Sequence, residues 1–165
     1  MTPDHEKQII GGRYALYGAI ATGGMASVHL ARQLGAGGFA RTVVVKRLHP
    51  DHLGSAEFVS TLLDEARLSS RIRHPHVVPV IDTVMSNDEV FVGMEYVAGT
   101  TLAHLLAATR RGQAELAPKL ATGVVCWVLH ALHAAHEARD ESGASLGIVH
   151  RDVTPDNVIV GSDGL

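Results

Sequence analysis

Two oppositely charged residues, Lys46 and Glu65, stand in places where plain surface charges are not expected. Lys46 closes the apolar run Val43-Val44-Val45, and Glu65 lies in a segment with apolar residues at helical spacing. At about 100° per residue, Phe58, Leu62, Glu65, Ser69 and Ile72 share a narrow stripe, while Asp64, Arg67 and Arg71 point the other way. Glu65 is therefore expected to face inward among apolar neighbours. A carboxylate there is costly unless paired, and an inward Lys on the adjacent strand is the available partner. A description as solvated surface charge suits Asp64 better than Glu65. Upstream, the run Ala21-Thr22-Gly23-Gly24-Met25-Ala26-Ser27-Val28 is poor in side chains. Such a turn lets backbone N–H groups approach a triphosphate closely, which any Cβ would obstruct. Taken alone, it reads as an ordinary hairpin. Near the other end, His150-Arg151-Asp152-Val153-Thr154-Pro155-Asp156-Asn157 crowds acid, base and amide side chains into one short loop.

Positioning these groups needs a definite order of elements. Tyr14–Ala21 and Ser27–Gln33 are strand-like around the glycine-containing turn, and Leu34–Arg41, with Gly35, Gly37 and Gly38, reads as a connection into a third strand, Thr42–Leu48. Ser55 is placed as the N-cap of a helix running to about Arg73, where His74-Pro75 closes it because the residue before a proline is pushed out of the helical region. Two more strands, Val77–Val84 and Glu89–Tyr96, follow around an Asn87-Asp88 turn. After Gly99 the pattern turns helical, over Leu102–Arg110 and then Lys119–Ala138, with Pro118 at the helix start. Five strands with one helix, followed by helices, is an α+β order. The second long helix leaves almost no polar face from Leu120 to Ala135, so it is expected to be covered on all sides.

Read together and in order, these constellations resemble the protein kinase domain, and the Gly23–Val28 loop, the Glu65-Ala66-Arg67 step of the helix and the turn Arg139–Ser145 look like the bacterial branch of its serine/threonine kinases. His150, Arg151, Asp152 and Asn157 match the catalytic loop H-R-D-x-x-x-x-N. Against the loop pattern G-x-G-x-x-G-x-V, Gly23 matches the middle glycine and Val28 fits, Ala21 and Ala26 replace the outer glycines, and Gly24 is an extra one. Glu65 precedes His74-Pro75 at the spacing at which the kinase αC helix runs into its HPN-type turn, and Met94-Glu95-Tyr96-Val97-Ala98-Gly99 looks like the hinge. The resemblance implies an α+β, protein-kinase-like fold. Residues 14–97 would be a complete small lobe, a five-stranded antiparallel sheet plus αC, with the hinge; residues 98–165 would be the first, mostly helical part of the large lobe, and residues 1–13 an N-terminal extension.

The same resemblance implies ATP and magnesium as cofactors and a protein hydroxyl as acceptor. Nucleotide contacts fall on Ala21, Thr22, Gly23, Gly24, Met25, Val28, Val44, Lys46, Met94, Glu95, Val97 and Ile159, with Met94 as gatekeeper and the backbone at Glu95 and Val97 meeting adenine. Lys46 positions the phosphates, Glu65 holds Lys46, Asp152 orients the attacking hydroxyl, and Asn157 binds magnesium. One departure stands out. Serine/threonine kinases usually carry Lys two residues after the catalytic Asp, where its charge helps the γ-phosphate; here the residue is Thr154. No DFG segment follows Asn157, so the chain is expected to be a part of the kinase domain that is inactive alone. A non-catalytic module binding nucleotide or a protein partner is the alternative, and Arg151 argues against a small-molecule phosphotransferase of similar fold.

Composition excludes several other classes. The chain has 165 residues, 46% apolar and 19% charged, which permits one sizeable core. A net charge of −3 with scattered Lys and Arg provides no field for nucleic acid. The single Cys126 and an N-terminus without a cationic start and apolar run favour a cytoplasmic setting. The most apolar segment, Leu120–Ala135, is interrupted by His130 and His133 and falls short of the roughly 20 apolar residues of a membrane span. His130, His133 and His136 fan over about 120° of helix surface, and nothing completes an HExxH-type set, so they read as hydrogen-bonded histidines.

Overall fold

The structure, a computed structural model, describes residues 8–112 and 115–162. Residues 1–7 of the expected extension and residues 163–165 lie outside them. The chain forms two compact units, one running through Ser70 and including Pro79–Tyr96, the other comprising Arg71–Val78 and the chain from Val97 onward.

The first unit is built on an antiparallel sheet of six strands: β1 (Gln8–Ile10), β2 (Tyr14–Thr22), β3 (Ala26–Leu34), β4 (Ala40–Leu48), β5 (Val80–Ser86) and β6 (Glu89–Glu95). Their order is β1-β2-β3-β4-β6-β5. Five of these were expected. The sixth, β1, is too short to display an alternating pattern, and it is joined to β2 by Gly11 and Gly12, both at positive φ. The hairpin between β5 and β6 turns on Asn87 and Asp88, also at positive φ, as the sequence suggests. β5 begins at Val80 rather than Val77, since Pro79 has no N–H to give a ladder.

Strand alternation divides the apolar residues between two faces. Val43 and Val45 of β4 pack with Ile10, Tyr14, Leu16, Ala31, Val84 and Phe91. On the opposite face, Leu48, Val90 and Val92 pack with Leu62 and Ala66 of helix α1 (Ala56–Ser69). Ser55 occupies the N-cap position with extended backbone but makes no side-chain cap bond. The helix ends at Ser69 rather than near Arg73; Arg71 instead bonds Glu141 at 2.9 Å within the second unit.

Tyr14 anchors the first core. Its hydroxyl accepts from Gln33 Nε2 at 3.3 Å and donates to Asp82 Oδ2 at 3.5 Å, and Asp82 is paired with Arg13 at 2.7 Å. Burial first, and then the Asp82 carboxylate, raise the Tyr14 phenol above its usual pKa, so it stays protonated as a donor. The ring passes so close to β6 that a Cβ on Gly93 would lie 2.9 Å from the hydroxyl oxygen. Gly93→Ala is therefore expected to destabilise the fold by about 1–3 kcal/mol through overpacking. Denaturant unfolding checks this, and an unchanged midpoint would mean that the ring can yield.

In the second unit, β7 (Gly99–Thr101) pairs antiparallel with β8 (Ile159–Gly161), a pairing between segments far apart in sequence that local pattern does not reveal. Gly99 is needed there because a Cβ would run into the Val160 carbonyl. Helix α2 (Leu102–Arg110) is capped by Thr101, whose side chain accepts from the His104 N–H at 3.2 Å. Helix α3 (Pro118–His136) starts on Pro118 as expected. Its Trp127 stacks on His76 with ring centroids 5.4 Å apart. Val124 and Ala135 are buried, but Val125 and Leu129 are more than half exposed, so the expected cover on all sides is not supplied by the described residues. Among those residues no helix is long and apolar enough to cross a membrane.

Candidate functional site

In the first unit, strand register gathers the predicted residues. Val28 of β3 lies opposite Lys46 of β4, and Lys46 opposite Val92 of β6; one row along, Leu30 lies opposite Val44, and Val44 opposite Met94. Directly opposed residues share a face, so Val28, Val44, Lys46 and Met94 lie on one side of the sheet. This is the side that α1 packs against.

From that face Lys46 Nζ donates to both Glu65 oxygens, at 2.7 and 2.9 Å. The pairing agrees with the sequence, but the burial does not: the Glu65 side chain is 57% exposed and that of Lys46 26%. The buried line of α1 runs through Leu62 and Ala66. Glu65 sits about 60° around the helix from Leu62, at the margin of the apolar stripe, where Lys46 meets it. Met25, Ala26, Leu48, Phe58, Thr61 and Leu62 line a small hollow beside the pair.

The loop between β2 and β3 is a tight turn closed by the Gly23 N–H donating to the Ala26 carbonyl at 2.9 Å. Ala21, Thr22, Gly23, Gly24 and Met25 are all exposed. Among the described residues the Gly24 and Met25 N–H groups have no hydrogen-bond partner, which is what an anion-binding turn requires. At the far edge of β6, the Glu95 N–H donates to the Pro79 carbonyl at 3.1 Å.

The second unit holds Val97, Ile159 and the loop from His150 to Asn157. Arg151 has φ 63, a left-handed conformation that a residue with a side chain rarely adopts. Such strain is found where surrounding bonds enforce it. Here the Asp152 N–H donates to His150 Nδ1 at 3.3 Å, and Asn157 Nδ2 donates to the Asp152 carbonyl at 3.1 Å and to its Oδ2 at 2.8 Å. A 3-10 turn over Pro155–Asn157 positions the amide. β8 carries Ile159 opposite Thr101, and the Val158 carbonyl accepts from the Leu102 N–H at 2.8 Å. Upstream, the Asp140 carboxylate accepts from the Ser142 hydroxyl and from the Ser142 and Ala144 N–H groups; the hydroxyl bond first, then the backbone bonds, hold it below the usual carboxylate range.

These bonds determine what each side chain can still do. Asn157 spends its donor on Asp152, so its Oδ1 is left as an oxygen ligand for a hard cation. Asp152 uses Oδ2 on that amide and keeps Oδ1 as an acceptor. The residues present therefore fit a magnesium ligand at Asn157 and a hydroxyl-orienting carboxylate at Asp152, tied together by one hydrogen bond. His49, which bonds the glycine-containing loop, carries one sequence signal, a His-Pro step just after the Lys46 strand, and that signal alone does not mark it as functional.

The protein kinase domain family matches residues 14–165. The tyrosine-protein kinase MasK of Myxococcus xanthus is 35% identical over 153 residues, and the serine/threonine-protein kinase PrkC of Bacillus subtilis is 32% identical over 151. The matches take in 93% and 92% of this chain but 24% and 21% of those proteins, so the chain spans about a quarter of their length. The solved kinase domain of Mycobacterium tuberculosis PknI, 26% identical, superposes with a TM-score of 0.73 over 96% of this chain and 58% of that one.

Proposed function

Because the chain belongs to the protein kinase family, we propose that the protein carrying it transfers the γ-phosphate of ATP, with magnesium, to serine or threonine hydroxyls of a protein. The observation that carries this reading is the Asn157 Nδ2 bond to Asp152 Oδ2 at 2.8 Å, which holds the amide and the carboxylate together while, among the described residues, the Oδ1 atom of each makes no hydrogen bond. Lys46, held in a two-pronged bond by Glu65, places a positive charge for the α- and β-phosphates. The loop amides at Gly24 and Met25 receive phosphate oxygens, and Val28, Val44 and Met94 give adenine apolar contact from their shared sheet face; the kinase pattern also assigns Ile159 to adenine. The backbone at Glu95 and Val97 supplies the adenine edge; since the Glu95 N–H is already bonded, Glu95 would contribute its carbonyl. Asp152 Oδ1 accepts the hydroxyl proton. Magnesium, when bound, supplies positive charge against the phosphate oxygens, with Asn157 as its ligand from this chain.

Thr154 favours a second reading, transfer to tyrosine, because it removes the Lys charge expected in serine/threonine kinases and because MasK, named a tyrosine-protein kinase, is 35% identical. The deciding experiment incubates the full-length protein with ATP, magnesium and a generic protein substrate and identifies the phosphorylated residues. Phosphoserine and phosphothreonine are expected. Phosphotyrosine alone would move the assignment to tyrosine, and nucleotide binding without any transfer would favour a non-catalytic module.

A further inference from the structure

His49 follows Leu48, the last residue of β4, and precedes Pro50. A residue before proline is confined to extended backbone, and His49 adopts φ −66 and ψ 147. That conformation carries the β3–β4 pairing one step beyond its last partners, Ala26 and Leu48: the His49 N–H donates to the Met25 carbonyl at 3.0 Å. It also sends the ring back over the turn, where Nε2 lies 2.8 Å from the Gly23 carbonyl. A carbonyl can only accept, so Nε2 carries the proton. Two of the loop's carbonyls are thus engaged by one residue, while the Gly24 and Met25 N–H groups have no partner among the described residues.

We propose that His49 is a positioning residue that clips the glycine-containing loop by its Gly23 and Met25 carbonyls and so presents the loop amides to the phosphates of ATP. This rests on the kinase reading given above. A loop with two adjacent glycines has much conformational freedom to lose on binding, and a bond that fixes it beforehand lowers the cost of ordering it around a ligand. The ring acts on carbonyl dipoles as well: turned toward a donor, the Gly23 oxygen does not face phosphate oxygens. His49 itself touches no reacting atom.

The test compares wild type, His49→Ala and His49→Gln in the full-length protein; Gln offers an N–H donor at a reach similar to Nε2. Without nucleotide, hydrogen–deuterium exchange across residues 19–28 is expected to quicken in His49→Ala and to return toward wild type in His49→Gln. With magnesium and ATP, KM for ATP is expected to rise about three- to tenfold in His49→Ala, the usual worth of one hydrogen bond, with kcat changed less than about twofold, and His49→Gln is expected to restore most of it. Unchanged loop exchange in His49→Ala would overturn the clip irrespective of catalysis. An unchanged KM, or a rise that tracks a lost thermal midpoint and is not restored by Gln, would overturn the positioning role. A wild-type protein with normal loop protection but no affinity for magnesium-ATP would instead sink the kinase reading, and the nucleotide half of this proposal with it.

Discussion

Lys46→Met in the full-length protein is expected to lower phosphotransfer by at least roughly 10²–10³-fold, the scale on which a preorganised charge acts on a developing one, while leaving the fold nearly untouched. The two halves of that expectation come from different magnitudes. The Lys46–Glu65 pair has good geometry, but Glu65 is more than half exposed. An exposed ion pair of this kind contributes about 0–1 kcal/mol to stability. Met also preserves most of the aliphatic stem that lies beside Leu48 and Leu62. Structure therefore gives little reason for Lys at this position, whereas a cation on the same sheet face as Val28, Val44 and Met94 has a clear use against phosphates. Autophosphorylation and the thermal midpoint should be measured together. Near wild-type transfer would remove Lys46 from the mechanism; loss of transfer with an equal loss of folding would return the pair to a structural role.

How much of this was legible in the sequence depends on the range over which each feature is encoded. The 150–157 loop is local: its bonds run between residues no more than five apart, so the order His, Arg, Asp, Asn carries most of its geometry. The Lys46–Glu65 pair was also reachable, because strand and helix periodicities fix which side chains share a face. Periodicity placed Glu65 in the inward stripe, however, and packing set it at the margin, since Leu62 and Ala66 fill the contact with the sheet. Features that depend on distant partners left weaker signals. β1 is three residues long and is identified by what Ile10 packs against. The β7–β8 pair joins Gly99 to Gly161 across the whole helical segment. His49 is one of eleven histidines, distinguished only by where Pro50 forces its backbone.

Asp152→Asn separates chemistry from architecture in the loop of the second unit. In the native loop Asn157 Nδ2 donates to Asp152 Oδ2. An asparagine at 152 can turn its single carbonyl oxygen to that donor and keep the bond, but its NH₂ group then occupies the place of Oδ1. The loop is preserved and the proposed acceptor for the hydroxyl proton becomes a donor. Stability should change by no more than about 0.5 kcal/mol, as for other exposed positions, since Asp152 is exposed. By contrast, kcat should fall by roughly 10²–10⁴, the usual contribution of a positioned acid or base, with KM for ATP little altered if, as proposed, Asp152 serves the acceptor and not the nucleotide. Steady-state kinetics on the full-length protein distinguishes the outcomes. A fall confined to kcat assigns Asp152 to the hydroxyl; an unchanged kcat with a raised KM would assign it to binding, and the reading of the Asp152–Asn157 pair as a proton acceptor beside a metal ligand would have to be abandoned.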